Sequence, residues 1–384
     1  MGQYTTSAKS PDTRLIVASS ESDSNMLWAT RMFVPDPFIF FVRGGKRHIV
    51  MTDLEFDRAR DQATVHVVLK QSEYVRRAQA RGVRFPSMPE ILAEVFAEFA
   101  IKSVLVPSNF PTGLSDSLRT MLFDVQVKAD PFWPKREVKS PKEIRSIQKS
   151  LRIAELGMEA GIDALRHSRI EKNGFLSLNG TRLTSEQLRS IINTAIMERG
   201  CVPSHTIVSS GKQAVDPHNE GSGPIRANTS IIIDIFPRSE KTGYFGDITR
   251  TVVRGRASER LKHAFASVKE AQKIGFRRIR SRASTYAIHN EILDYFSREG
   301  FQTGFDDGRM QGFFHGTGHG LGLDVHEAPS FGLRARNRLK KNHVVTVEPG
   351  LYYAGMGGVR LEDVVVVSQD GCRNLVRYPK FLEI

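Results

Sequence analysis

Acidic side chains placed in apolar, β-favouring segments constrain this chain more than any other feature. Asp234 closes the run Ser-Ile-Ile-Ile-Asp, and Glu362 lies in Val-Arg-Leu-Glu-Asp-Val-Val-Val-Val at 359–367. β-Branched runs of this kind predict buried strands, and we interpret Glu362 as a charge carried inside such a strand. A buried carboxylate needs a cation or a hydrogen-bond donor beside it. The fold must therefore bring compensating groups to these positions.

Further acids and one histidine lie in the last 150 residues, next to turn-forming or β-favouring residues. The Gly-containing turn at 237–246 predicts two antiparallel strands that bring Asp234 and Asp247 onto one face. Carboxylates brought together repel and raise one another's pKa unless cations neutralise them. We therefore predict a site for a pair of divalent cations. The segments that supply it are GDITRT at 246–251, HGTGHGLGLDVHE at 315–327, TVEPG at 346–350 and VRLED at 359–363.

The order and spacing of these segments are specific. Glu348 and Glu362 are fourteen residues apart, and His319 and His326 are seven apart. The pattern resembles the metal-dependent pita-bread peptidases, the family of methionine aminopeptidase, aminopeptidase P and prolidase. The resemblance is close from about residue 141 to the end and looser before it. It implies an α/β (α+β) protein with a pita-bread catalytic domain, preceded by a smaller creatinase-like α/β N-terminal domain.

The metal ligands follow from this resemblance. It implies that Asp234 and Asp247 bind one divalent ion and that His319 and Glu348 bind the other. Asp247 and Glu362 would bridge both ions, which together activate a water molecule. An oxygen-rich site with one imidazole suits Mn²⁺ best, with Co²⁺, Fe²⁺ or Zn²⁺ as alternatives.

The catalytic and substrate-binding residues are also implied by the resemblance. Glu348 resembles the acid that takes a proton from the attacking water. His218 and His326 resemble the pair that hydrogen-bonds the substrate carbonyl and stabilises the oxyanion. His315 resembles a residue that lines the pocket for the residue after the scissile bond. Arg360, two residues before Glu362, is expected to orient its neighbouring ligands or the substrate.

The expected activity is that of an Xaa-Pro metallopeptidase, an aminopeptidase or dipeptidase that cleaves between an N-terminal residue and proline. Its partners would be short proline-containing peptides and a second copy in a homodimer. The N-terminal extension and the context of His315 favour the proline-directed relatives over methionine aminopeptidase. Two alternatives stay open. One is an enzyme of the same fold acting on a small non-peptide substrate, as a lyase or C–N hydrolase, and the other is a basic module that binds nucleic acid or protein.

Composition limits these alternatives. The formal net charge is +13, but no RNA- or DNA-binding motif accompanies the basic residues, so nucleic acid is not an expected partner. The two cysteines, Cys201 and Cys372, are too few for a disulfide framework. No apolar run of about 18 residues and no basic-then-apolar leader is present, so we expect a cytoplasmic protein without a membrane span. Residues 1–6 fit the myristoylation template, which is short and often matched by chance.

The predicted elements divide the chain at two prolines, Pro131 and Pro134, and a polar run, giving domains at 1–138 and 139–384. In the first domain, Gly44-Gly45 predicts a hairpin turn, and Ser87 with Glu90 predicts a helix start. Its predicted strands lie at 14–19, 38–43, 47–52, 65–70, 103–107 and 123–128, and its predicted helices at 54–62 and 86–100. The predicted helices of the second domain end at about 167 and span 184–199, 257–281 and 284–298, the first beginning at Ser140-Pro141.

Overall fold

The structure, a computed structural model, describes residue 11 and residues 13–306 and 308–384. Its internal contacts divide the chain into two compact units, Met1–Pro134 and Lys135–Ile384. The myristoylation template at residues 1–6 lies outside the described residues. Within the part that is described, no helix is both long enough and apolar enough to cross a membrane.

The first unit is built on a mixed sheet. Among its described residues the strands follow the order β4-β3-β2-β1-β5-β6, in which the β3–β2 and β2–β1 pairings are antiparallel and the other three are parallel. The strands are β1 (Thr13–Ala18), β2 (Phe38–Arg43), β3 (Lys46–Met51), β4 (Val67–Lys70), β5 (Ser103–Pro107) and β6 (Asp124–Lys128). The helices are α1 (Ser24–Thr30), α2 (Asp53–Gln62), α3 (Gln71–Ala80), α4 (Met88–Glu98) and α5 (Thr112–Thr120).

Both faces of this sheet are covered. Successive side chains of a strand point to opposite faces, so Leu15 and Val17 enter one apolar core and Ile16 enters the other. Gly44 and Gly45 both have positive φ, 56° and 76°, as the predicted tight hairpin turn requires. All six predicted strands are confirmed. Helices α1, α3 and α5 lie outside the predicted helical segments. The sequences of α3 and α5 contain few apolar residues, so few positions mark their helical period.

The second unit contains long helices packed on several small sheets. Its helices are α6 (Pro141–His167), α7 (Ser185–Met197), α8 (Glu259–Arg278) and α9 (Thr285–Arg298). Its first strands are β7 (Arg169–Ile170), β8 (Leu176–Leu178), β9 (Thr181–Arg182), β10 (Cys201–Val202), β11 (Ile207–Ser210), β12 (Ile231–Ile235), β13 (Arg238–Ser239) and β14 (Ile248–Val252). Its later strands are β15 (Gly304–Asp306), β16 (Arg309–Gln311), β17 (Gly318–Gly320), β18 (Glu327–Phe331), β19 (Val344–Val347), β20 (Gly350–Tyr353), β21 (Gly357–Arg360), β22 (Asp363–Val367) and β23 (Cys372–Asn374).

Two helix pairs support the sheets that matter for the site. Helices α6 and α7 pack on each other and on β11 and β12, in a sheet of order β11-β12-β14. Helices α8 and α9 pack on each other, and α8 also contacts β19, β20 and β21. Strand β19 belongs to a sheet of order β18-β17-β19-β22-β23, whereas β20 and β21 form a separate pair. The four predicted helices of this domain are confirmed, with ends within three residues.

One glycine of the second unit is required by packing. A Cβ on Gly246 would lie 2.6 Å from the Ser150 carbonyl carbon and 2.7 Å from the Leu151 nitrogen, both backbone atoms of α6. Backbone within a helix cannot yield as a flexible side chain can. Gly246 thus lets the segment before β14 lie directly against α6.

We expect Gly246→Ala to destabilise the protein by about 1–3 kcal/mol, because an added methyl in a filled space forces backbone shifts. Thermal unfolding should show a lowered midpoint for this variant. Gly304→Ala is the matched control, because a Cβ there has no neighbour within 4 Å. Equal midpoints for the two variants would contradict this account of the packing.

Candidate metal centre

A cavity of about 530 Å³ in the second unit brings the predicted site residues together. Apolar side chains, including Ile207, Phe236 and Phe331, form part of its wall. The predicted site residues that line it are Asp234, Asp247, His319, Glu348 and Glu362, together with His218, His315, His326 and Arg360.

Two neighbouring strands position the aspartates. Strands β12 and β14 are antiparallel, and Asp234 lies opposite Thr249. Asp247 is two residues before Thr249, so its side chain leaves the same face of the sheet. The two carboxylates are therefore diagonal neighbours on one face. The sequence predicts this arrangement correctly.

Close backbone approach positions His319 beside Glu348. His319 lies in β17, whose neighbour β19 ends immediately before Glu348. A Cβ on Gly318 would lie 2.1 Å from the Thr346 carbonyl oxygen, so only glycine permits this approach. The imidazole Nε2 of His319 lies 3.3 Å from Glu348 Oε1 and 3.7 Å from Asp247 Oδ2.

The structure corrects the predicted position of Glu362. It does not lie inside one continuous strand, because β21 ends at Arg360 and β22 begins at Asp363. The chain changes sheets here, since β21 pairs with β20 and β22 pairs with β19. Glu362 occupies the break, where Thr249 Oγ1 donates a 2.8 Å hydrogen bond to its Oε2. An apolar run interrupted by a charge can thus be two strands of different sheets.

Burial and mutual repulsion disfavour the charged forms of these acids. Burial, followed by the charges of neighbouring carboxylates, holds the pKa of Asp247 and of Glu362 well above their ordinary values. Burial also raises the pKa of Glu348 to about 7. Oxygen atoms Asp234 Oδ1 and Glu362 Oε1 are buried and have no hydrogen-bond partner among the described residues. These unsatisfied acceptors need a cation.

The hydrogen bond of His319 fixes its tautomer. Its Nδ1 lies 3.2 Å from the Gly320 carbonyl oxygen, which can only accept, so the proton is on Nδ1. Nε2 then presents a lone pair towards Asp247 and Glu348. This is the tautomer that a metal-ligating histidine adopts when its other nitrogen donates to a carbonyl.

The other predicted histidines surround these ligands. The ring of His326 lies 4.4 Å from that of His319, nearly perpendicular to it. His315 donates from Nδ1 to the Gly316 carbonyl oxygen at 2.8 Å, and its Nε2 lies 3.0 Å from the Tyr352 hydroxyl. Burial lowers the pKa of His315 to about 3, so the ring is neutral. His218 lines the same cavity.

Arg360 is buried and contacts a predicted ligand directly. Its Nη2 donates to Asp234 Oδ2 at 2.7 Å, and its Nη1 donates to the Tyr352 hydroxyl at 2.8 Å and the Pro217 carbonyl at 3.1 Å. This geometry orients Asp234, while a direct contact of Arg360 with substrate stays a prediction. Sequence reasoning missed Tyr352 and Thr249. Thr249 could have been predicted from strand alternation, because it is two residues after Asp247 and so lies on the same face of the strand.

Comparison with known proteins decides the family. The family model described as metallopeptidase family M24 matches residues 145–369. The chain belongs to metallopeptidase family M24. The family and the pita-bread fold class predicted from the sequence are thereby confirmed.

Individual M24 relatives extend the likeness beyond that segment. A Xaa-Pro dipeptidase of Pyrococcus horikoshii is 25% identical over 339 residues, which cover 88% of this chain and 85% of the relative. An uncharacterized peptidase of Bacillus subtilis is 29% identical over 303 residues, covering 78% and 79%. The solved structure of an X-Pro aminopeptidase from Thermotoga maritima matches with a TM-score of 0.80 at 21% identity, covering 97% of this chain and 98% of that chain. At this identity, the structural likeness supports the fold alone.

Membership of a metallopeptidase family implies a divalent metal cofactor, and the residues present fit one. Asp247, His319 and Glu362 each offer a ligand atom, and these atoms lie within 4.8 Å of one another. Asp234 and Glu348 line the same cavity. Carboxylate oxygens with one imidazole are a suitable donor set for divalent first-row metals.

A buried ionic cluster supports the His326 segment of this M24 site. Lys139, 2% exposed, donates to Glu327 Oε1. Arg136 Nη2 lies 3.0 Å from Glu327 Oε2 and 2.7 Å from Asp324 Oδ2. Glu327 directly follows His326, so these cations anchor the chain beside a predicted catalytic residue. No local pattern predicts this cluster, because Arg136 and Asp324 are 188 positions apart.

We expect Glu327→Ala to destabilise the protein by about 3–5 kcal/mol, because it leaves the buried Lys139 ammonium without its partner. Denaturant or thermal unfolding of the metal-free protein measures this loss. The control is Glu259→Ala, which removes an exposed partner of Lys262 and should change stability little. A stability loss no larger than that of the control would show that the cluster is not an anchor.

Proposed function

We propose that this protein is a metal-dependent hydrolase that cleaves the peptide bond between an N-terminal residue and proline. One observation carries the proposal: five potential metal ligands, two of them with unsatisfied buried oxygens, line one cavity together with His218, His315 and His326. Family membership and the relatives named as Xaa-Pro dipeptidase and X-Pro aminopeptidase support the substrate class. The choice between aminopeptidase and dipeptidase activity stays open.

The metal-holding residues are assigned by the same proposal. Asp234 and Asp247 would hold one divalent ion, and His319 and Glu348 would hold the other. Asp247 and Glu362 would be shared between the two, and Mn²⁺ is the expected ion, before Co²⁺, Fe²⁺ or Zn²⁺. When bound, such ions lower the pKa of water and polarise a carbonyl oxygen.

The remaining steps belong to side chains of this chain. Glu348 accepts the proton of the attacking water and returns it to the leaving nitrogen. His218 and His326 donate hydrogen bonds to the substrate carbonyl oxygen as it gains negative charge. His315, neutral and held by Tyr352 and Gly316, lines the wall against the residue after the scissile bond. A proline there has no N–H, so this wall need not supply an acceptor.

Metal content tests the ligand assignment. After dialysis against Mn²⁺, elemental analysis should approach two ions per chain, whereas Glu362→Ala should lower the occupancy and abolish turnover because it removes a shared ligand. Glu240→Ala, an exposed acid of the same unit, is the control and should leave both unchanged. Full occupancy and activity in Glu362→Ala would contradict the assignment.

Paired peptides test the substrate class. Xaa-Pro and Xaa-Pro-Yaa peptides should be cleaved, and their Xaa-Ala counterparts should be cleaved much more slowly. His326→Ala should lower kcat more than it raises KM, because an oxyanion contact strengthens in the transition state and is worth roughly 3 kcal/mol. Equal rates on proline and alanine peptides would contradict the substrate class, and a change in KM alone would contradict the role of His326.

The alternatives receive no support from the comparisons. Neither a lyase nor a C–N hydrolase is among the relatives described above. Part of the basic surface is neutralised within the fold, since Arg277 pairs with Glu270 and Arg278 pairs with Glu291. Nucleic acid is therefore not proposed as a partner. The homodimer and the cytoplasmic location stay predictions.

A further inference from the structure

Helix α8 carries a buried amide that contacts two segments of the metal centre. Gln272 is 1% exposed. Its Nε2 donates to the Val347 carbonyl oxygen at 2.8 Å and to the Leu361 carbonyl oxygen at 3.1 Å. A side-chain amide has two N–H donors on one nitrogen, so both can be used at once. The acceptors immediately precede Glu348 and Glu362.

Backbone hydrogen bonding between the segments that carry Glu348 and Glu362 is incomplete next to the end of the β19–β22 ladder. Val347 is paired with Asp363 at the last position of the β19–β22 ladder. Two residues beyond this pair, the Leu361 N–H donates to the Pro349 carbonyl oxygen over a long 3.5 Å. The reciprocal bond cannot form, because Pro349 has no N–H. The Leu361 carbonyl therefore lacks the donor that a regular antiparallel pair would supply, and Gln272 supplies it.

The helix is held close enough for this contact. A Cβ on Gly275, three residues after Gln272, would lie 2.8 Å from Val347 Cγ1. Helix α8 and the strands also share one apolar core, which includes Val268, Ala271, Val347 and Leu361. In an apolar core, a carbonyl without a hydrogen-bond donor costs free energy. The conformation in which the amide donates to both carbonyls is therefore strongly favoured.

We propose that Gln272 is a positioning residue of the metal centre, which fixes the spacing between Glu348 and Glu362 by tying together the backbone that carries them. The proposal rests on the ligand assignment made above. Without the amide, the two carbonyls lose their shared donor, and the end of the β19–β22 ladder and the long Leu361–Pro349 hydrogen bond constrain the spacing of the two segments less tightly. Because Glu362 is assigned to both ions and Glu348 to one, this looser spacing weakens metal binding without removing any ligand.

The test is a Mn²⁺ titration of metal-free, full-length protein by isothermal titration calorimetry. Gln272→Met keeps the length and helix preference of the side chain but removes both donors, and we expect the Kd of at least one ion to rise about 10–100-fold, the range typical of lost partners around a metal site. Ser267→Ala is the matched control, because Ser267 is also buried on α8 and its side chain hydrogen-bonds with Tyr295 of α9. Its affinity for Mn²⁺ should equal that of the wild type.

Unfolding of the same proteins in EDTA separates positioning from stability. A Gln272→Met protein with wild-type Mn²⁺ affinity would overturn the proposal, whatever its stability. An equal rise of Kd in Ser267→Ala would also overturn it. If Gln272→Met does not fold, Gln272→Asn, which keeps the donors on a shorter side chain, is titrated instead, and wild-type affinity there counts against the proposal.

Glu362→Ala distinguishes failure of this proposal from failure of the ligand assignment. If Glu362→Ala loses Mn²⁺ affinity and Gln272→Met does not, only the positioning role is wrong. If Glu362→Ala binds Mn²⁺ like the wild type, the ligand assignment is wrong. The positioning role of Gln272 is then wrong as well, because it rests on that assignment.

Discussion

Mutual repulsion between buried carboxylates is the constraint on which the rest of this structure depends. Asp247 and Glu362 are almost completely buried, and Asp234 and Glu348 line the same cavity. Charges of one sign in a medium of low polarity are strongly unfavourable unless opposite charge is close. Arg360 supplies one cation to Asp234. Asp234 and Glu362 also carry buried oxygens that have no hydrogen-bond partner among the described residues. Divalent ions beside these oxygens would compensate the remaining negative charge.

Three of the five assigned ligands lie where regular strand pairing stops. Asp247 precedes β14, Glu348 follows β19, and Glu362 lies in the break between β21 and β22. At such positions the backbone is not held by a continuous ladder of hydrogen bonds between paired strands. Residues from other elements therefore determine where the side chain lies. Thr249 donates to Glu362 itself, and Gln272 donates to the backbone carbonyls that precede Glu348 and Glu362. Arg360 donates to Asp234, which lies within β12.

Local signals in the sequence predict most helices and strands and the pairing face of the two aspartates, because a strand's alternation, a cap or an acid in an apolar run depends on its own surroundings. The hairpin at Gly44-Gly45 and the aspartate pair on β12 and β14 are examples. Contacts between distant segments leave no such signal. Lys139 with Glu327, and Gln272 with Val347, are created by tertiary packing alone. The sequence does not reveal the change of sheets at Glu362 for a related reason, since a charge within an apolar run is compatible with one strand or with two.

Anomalous diffraction at the manganese edge, on crystals of the Mn²⁺-loaded protein, tests the central claim most directly. The account predicts two peaks roughly 3.5–4 Å apart, with Asp247 and Glu362 contacting both, Asp234 contacting one and His319 with Glu348 contacting the other. A single peak, or peaks that leave Glu362 without contact, would contradict it.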